Sequence, residues 1–211
     1  MFFGEREVAA SARADLAGLD TPQAQLERGK LIHVEAVRES RLQPGEHEAF
    51  SAALIGFRED RDSAGEAEAL FWLAVCAQFG GDDASAEPLL RRAYELGESL
   101  TKSYAARHLG FIAGARSEDV TARDLLRESL RLREELSFDA GVAAAQLALA
   151  EFERSRGNTD EADRLLADAD RLARAIGAAG VIAWIDASRR SPATSPPRRS
   201  PRRQRRARSR W

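Results

Sequence analysis

The side chains able to do chemistry are few and scattered. Cys76 is the single cysteine of the 211 residues, and the histidines are His33, His47 and His108. A thiol beside an imidazole would make a nucleophile and its base. Cys76, however, sits between Val75 and Ala77 in an apolar run, where a free cysteine behaves as a small core residue. His108 stands between Arg107 and Leu109 and reads as a packed histidine with one hydrogen bond. None of the histidines has the spacing of a metal ligand. A lone cysteine also excludes an intramolecular disulfide and a multi-cysteine zinc site. Carboxylates are abundant, in Glu134-Glu135, Asp82-Asp83, Asp168 and Asp170, and paired acids could act as acid and base. These fall at helix starts or on charged helix faces, where caps and solvation account for them. No glycine-rich phosphate loop follows a strand pattern. The expectation is a protein with no catalytic, cofactor-binding or metal-binding residues, and not an enzyme.

The elements that would position any site are helices. Alanine and leucine dominate the apolar residues, aromatics make up only 7%, and β-branched runs are absent. That balance favours helix over sheet. Thr21-Pro22 reads as a cap followed by a proline in the first helical turn, and Pro44-Gly45 as a stop. The punctuation predicts helices over 22–42 and 46–59. The next is opened by a Ser63/Glu66 capping box and ends at Gly80-Gly81. Pro88 should lie near the start of the following helix, which Gly97 closes. Further helices are predicted over 102–115, 119–136, 140–156 and 160–176, with Gly157 and Gly177 in the left-handed position after a helix end. A last short helix is expected near 181–188.

Internal repetition organises these helices. The segments AEPLLRRAYELGES, ARDLLRESLRLREELS and ADRLLADADRLARAIG align on Leu89-Leu90, Leu125-Leu126 and Leu165-Leu166, and Leu54-Ile55 takes the same place one unit earlier. The spacings are 35, 36 and 40 residues. A helix precedes each segment, so the unit is helix, turn, helix. Leu109-Gly110 is followed by Ala122, Leu126 and Ser129. Leu73-Ala74 is followed by Ala86, Leu90 and Ala93, and Leu149-Ala150 by Ala162, Leu166 and Ala169. This pattern resembles the tetratricopeptide repeat, as do the turns Gly81-Asp82 and Gly157-Asn158. The likeness is clearest over residues 64–177 and weak over 22–60, where Arg38-Glu39 stands for the Leu-Gly pair. Spacings above ~34 residues resemble the longer-helix repeats of bacterial regulators and stand-alone actinobacterial repeat proteins. The resemblance implies an all-α protein, an α-solenoid of about four helix-turn-helix repeats across residues 1–188.

In that family the first helix of each unit lines a concave groove that binds proteins or peptides. Carried over by alignment, the groove positions are Phe71, Val75, Gln78 and Phe79, then Tyr104, Arg107 and Phe111, then Glu151 and Arg154. Aromatics beside arginine are the composition of a binding hot spot. Phe71, Val75 and Phe111 could equally pack inside the superhelix, and Trp72 reads as core.

Charge is unevenly placed. Residues 189–211 hold ten arginines and no acid, leaving a body of 22 basic and 34 acidic residues, net about −12. The Pro-, Ser- and Arg-rich tail is expected to be disordered. It could touch nucleic acid through its guanidinium groups, or simply fold back on the acidic body. The first ten residues do not read as a signal peptide, and no apolar run approaches the ~18 residues of a membrane span. The expectation is a cytoplasmic interaction scaffold without a cofactor. The second reading is a ligand-sensing or transcription-linked regulator, and the third an accessory factor or enzyme of a biosynthetic pathway.

Overall fold

Short polar side chains set where three of the described helices begin. The computed structural model describes residues 11–12 and 14–190. The tail beyond Arg190 and the first ten residues, with the expectations placed on them, lie outside the described residues. The described chain forms helices α1 (Pro22–Glu39), α2 (Glu46–Glu59), α3 (Ser63–Phe79), α4 (Asp83–Leu96), α5 (Ser99–Ala115), α6 (Asp119–Glu135), α7 (Asp139–Ser155), α8 (Thr159–Ala175) and α9 (Ala179–Arg190), and no strand occurs among the described residues. Thr21 caps α1, its hydroxyl accepting from the Ala24 amide at 3.2 Å. Asp62, not Ser63, caps α3, accepting from the amides of Ala64 and Gly65. Glu66 therefore makes no capping box and instead pairs with Arg58 at 2.9 Å. Asp82 caps α4 through the Ser85 amide. Pro88 consequently falls in the second turn, where it has no N–H to give the carbonyl of Ala84.

The helix ends share one geometry. After α1, α2, α3, α5, α6, α7 and α8, an amide two or three residues past the end reaches back in a six-residue closure, as in Asp82 to Ala77, Glu118 to Ala113 and Asn158 to Glu153. The intervening residue is left-handed. Gly81, Gly157 and Gly177 serve this place without strain, while Ser40, Arg61, Ser117 and Ser137 hold it with φ between 51° and 63°, at roughly 1–2 kcal/mol each. The α4–α5 junction differs. Gly97 is extended there, and α5 starts at Ser99, three residues before the predicted 102.

Helices pack in consecutive pairs: α1 with α2, α3 with α4, α5 with α6 and α7 with α8, each pair then stacking on the next. The fold is thus an all-α solenoid of helix pairs, as the sequence predicts, closed by α9 against α7 and α8. First helices touch the first helices of the next pair, whereas second helices do not touch one another. The first helices therefore line the inner side of the stack.

Small residues set the approach within a pair. Ala74, Ala86, Ala122 and Ala162 are fully buried. A Cβ on Gly110 would meet the Leu126 side chain at 3.0 Å and the Ala122 carbonyl at 3.3 Å. Of each double leucine, Leu90, Leu126 and Leu166 are buried. Leu165 packs against the clusters of both neighbouring units. The first unit departs from this register. Ile55, expected at the buried leucine position, is 60% exposed. Aligning the starts of α2 and α4 instead sets Ala53 against Leu90, because the rings of Phe50 and Phe57 fill the space. In the same way His33, not the exposed Arg38-Glu39, takes the place of Ala74 and Gly110 in α1. Arg189 and Arg190, expected in the tail, complete α9, and Arg189 pairs with Asp170 at 3.2 Å.

Gly110→Leu should lower the thermal melting of the helical signal by circular dichroism, with a loss of about 1–3 kcal/mol from overpacking. Unchanged melting would show that the contact with Leu126 is not limiting.

Candidate functional site

The same helical positions recur on the inner face, one per unit. Counted from each helix start, Lys30, Phe71 and Arg107 are equivalent, as are Glu27, Glu68 and Tyr104. These ladders meet in a cavity of about 360 Å³. Its walls come only from α1 (Lys30, His33), α3 (Glu68, Phe71, Trp72, Val75) and α5 (Leu100, Thr101, Tyr104, Arg107, His108). Phe71 is the hub. Its ring lies 5.3 Å from Trp72, 5.6 Å from Tyr104 and 5.4 Å from His108. Trp72 also stacks on Phe50 at 5.6 Å, so it anchors the core while lining the cavity. In α7 the equivalents are Ala144 and Leu147, both buried, and the polar chamber ends there.

The polar groups differ in how well they are matched. Lys30 bridges Glu27 and Glu68, at 2.7 Å to each. Burial works against its charge, but the two carboxylates prevail and hold it above the ordinary lysine range. His33 binds the buried Glu46 through Nδ1 at 2.6 Å, and the Cys76 thiol donates to the same carboxylate oxygen at 3.2 Å. Burial, reinforced by Glu46, pushes the Cys76 thiol up, so it is a thiol and not a nucleophilic thiolate. His108 Nδ1 donates to the Gln78 amide oxygen at 2.5 Å. Its burial, with Arg107 and Arg133 nearby, pushes its pKa down to about 3, so the imidazole is neutral.

Two arginines stand without a carboxylate. Arg133, 1% exposed, is tied to the Ser103 hydroxyl and the Gly141 carbonyl, and lies over the Tyr104 ring at 4.6 Å. Burial, then the charge of Arg107, pushes Arg133 down to about 10. It staples α5, α6 and α7 together. Arg107 makes no hydrogen bond or ion pair among the described residues, and its Nε is buried without a partner. It packs over the Phe111 ring at 5.2 Å, and burial lowers its pKa while Tyr104 and Glu151 act the other way.

Of the groove residues expected from sequence, the structure brings Phe71, Val75, Tyr104 and Arg107 to one cavity. Phe71 is 5% exposed, so it shapes the wall from the core side. Phe79 and Phe111 are exposed at 38% and 39% on adjacent first helices. Gln78 holds His108 and Asp83. Glu151 is exposed outside the cavity, and Arg154 pairs with Asp163 of α8 at 3.2 Å. Sequence reasoning missed Lys30, Glu68, Leu100, Thr101 and Arg133. For Arg133 a signal existed: the repeat alignment sets it opposite Gly97 and Ala173, an arginine at a small-residue position. Lys30 was hidden by the misaligned first unit, whereas Glu68 stands in the aligned second unit at the position of Tyr104.

No protein-family model matches the chain, and no curated protein matches it in sequence.

The depressed His108 links stability to pH. Its folded pKa lies below the unfolded value, so between about 3 and 6.5 the unfolded state binds the extra proton. His108 therefore disfavours the fold increasingly as pH falls through that window. His108→Gln should flatten the acid side of the stability–pH curve measured by urea unfolding, and an unchanged slope would place the acid sensitivity elsewhere.

Proposed function

We propose that this chain is an interaction scaffold of the tetratricopeptide kind, whose inner face binds a protein or peptide segment and carries out no catalysis. The observation that supports this best is the origin of the cavity. Three successive first helices contribute all of its walls, so the array presents one continuous surface while the second helices lie behind it. Aromatic rings and a guanidinium at that surface are the side chains that dominate binding hot spots. Phe79 and Phe111 extend it with exposed rings that a partner would cover.

The buried acid, thiol and imidazole groups support the same reading. Glu46 serves His33 and Cys76, and His108 serves Gln78, so each is engaged in packing. No helix among the described residues is long and apolar enough to cross a membrane, and the lone cysteine is buried and free. Both fit a protein that works in the cytoplasm. The sequence beyond Arg190 carries eight arginines, while residues 1–190 have a net charge of about −10, and acids of the same chain compete with nucleic acid for those arginines within a Debye length of ~10 Å at 0.1 M salt. Nucleic-acid contact is therefore the less favoured role.

Phe79→Ala with Phe111→Ala should weaken the partner captured by the wild-type chain by about thirtyfold or more, as loss of two hot-spot rings would. Helicity and melting should stay near wild type, because both rings are exposed. Undiminished binding, by titration of the captured partner, would move the interface off the inner face.

A further inference from the structure

Arg107 is the charged wall residue that has no ion pair among the described residues. Lys30 is matched by Glu27 and Glu68, His108 is neutral and held by Gln78, and His33 is held by Glu46. Arg133 is tied by a hydroxyl and a carbonyl. Arg107 has neither hydrogen bond nor ion pair among the described residues, and its Nε is buried and unpartnered. Of its charged neighbours, Arg133 has the same sign, and Glu151, which favours the charge, makes no ion pair with it among the described residues. Arg107 is half-buried, and a cation drawn from water without an anion is unfavourable. An arginine fork is shaped to take both oxygens of a carboxylate.

Apolar and aromatic walls, Phe71, Trp72, Val75, Leu100 and Tyr104, share the chamber with Thr101, the two histidines and the Lys30–Glu68 pair. Its volume, about 360 Å³, falls in the range of small-molecule sites. We infer that the α1–α3–α5 cavity binds a small organic acid, a planar apolar group between the aromatic walls with its carboxylate on the Arg107 guanidinium. A monoanion matches Arg107, the wall cation that has no carboxylate partner among the described residues. A phosphate dianion would bring a second charge beside the Glu68 carboxylate in the same wall. This goes beyond the scaffold reading, since the occupant is a small acid and not a protein segment. It also gives the array a ligand that could govern whether its inner face is open to a partner. The same chemistry occurs at the end of a peptide whose last residue is aromatic, so the probes must separate the two sources.

The full chain is titrated calorimetrically with phenylacetate, with N-acetylphenylalanine as the chain-end mimic, and with neutral phenylacetamide. The expected result is that at least one acid binds about tenfold or more tightly than the amide. Tighter binding of phenylacetate assigns the free acid. Tighter binding of N-acetylphenylalanine assigns a peptide end and overturns the small-acid source. Arg107→Met should abolish the preference for acid over amide. The inference is overturned if neither acid binds at millimolar concentration, if acid and amide bind alike, or if a folded Arg107→Met keeps the preference for acid. The comparison of acid with amide on the wild-type chain stands even if the variant fails to fold. Because Phe79 and Phe111 test the protein interface and Arg107 tests the acid site, failure of one reading is distinguishable from failure of the other.

Discussion

The close approach of two helices at positions that admit no side chain is the constraint from which the rest follows. Where Gly110 meets Leu126 and the backbone of Ala122, there is no room for a larger residue. Ala74 against the Ala86 region and Ala150 against the Ala162 region repeat the arrangement one unit on either side. The three later pairs therefore share a small residue at this crossing, whereas the first pair has His33 there. A repeat array has no other source of order, since each unit is held only by its neighbours. Burial of Leu90, Leu126 and Leu166 adds the cohesion, but the small residues decide the geometry in which those leucines meet.

That geometry makes the inner face. Because first helices contact first helices while second helices stay apart, residues one helical position apart in sequence logic become neighbours in space. Lys30, Phe71 and Arg107 form such a ladder, and so do Glu27, Glu68 and Tyr104. The protein uses the ladders unevenly. Between the first and second units, charge is matched through the Lys30 to Glu68 bridge. Between the second and third units, aromatic packing replaces charge, and Arg107 is left over. In the fourth unit the equivalent positions are the buried Ala144 and Leu147, which do not line the chamber. A stack of like parts thus carries one site that is not repeated.

Much of the fold was legible in the sequence because its signals are local. Double leucines at helical spacing, glycines after helix ends and small residues at one recurrent position all report on the segment that contains them. The failures were of two physical kinds. In the first unit, Phe50 and Phe57 replace the leucine and fill the interior from other positions, so the alignment on Leu54-Ile55 slid and His33 was not seen at the small-residue place. At Pro88 and Ser99, the side-chain cap of Asp82 and the extended backbone of Gly97 overrode the expected helix limits. The candidate site was legible in part for the same reason. Phe71, Val75, Tyr104 and Arg107 follow from helical phase alone. That Arg107 lacks a partner while Lys30 has two is a fact of three-dimensional pairing, and no spacing rule contains it.

The account rests on the inner face being the working surface. The most direct measurement places the photo-crosslinker p-benzoylphenylalanine at Phe111 on a first helix and, separately, at Arg92 and Arg131 on second helices, where all three positions are exposed. Irradiation in the presence of the partner, followed by mass spectrometry, reads which face it covers. The account predicts a covalent adduct from position 111 and none from 92 or 131. Adducts from 92 or 131 with none from 111 would contradict it, and would assign binding to the outer helices.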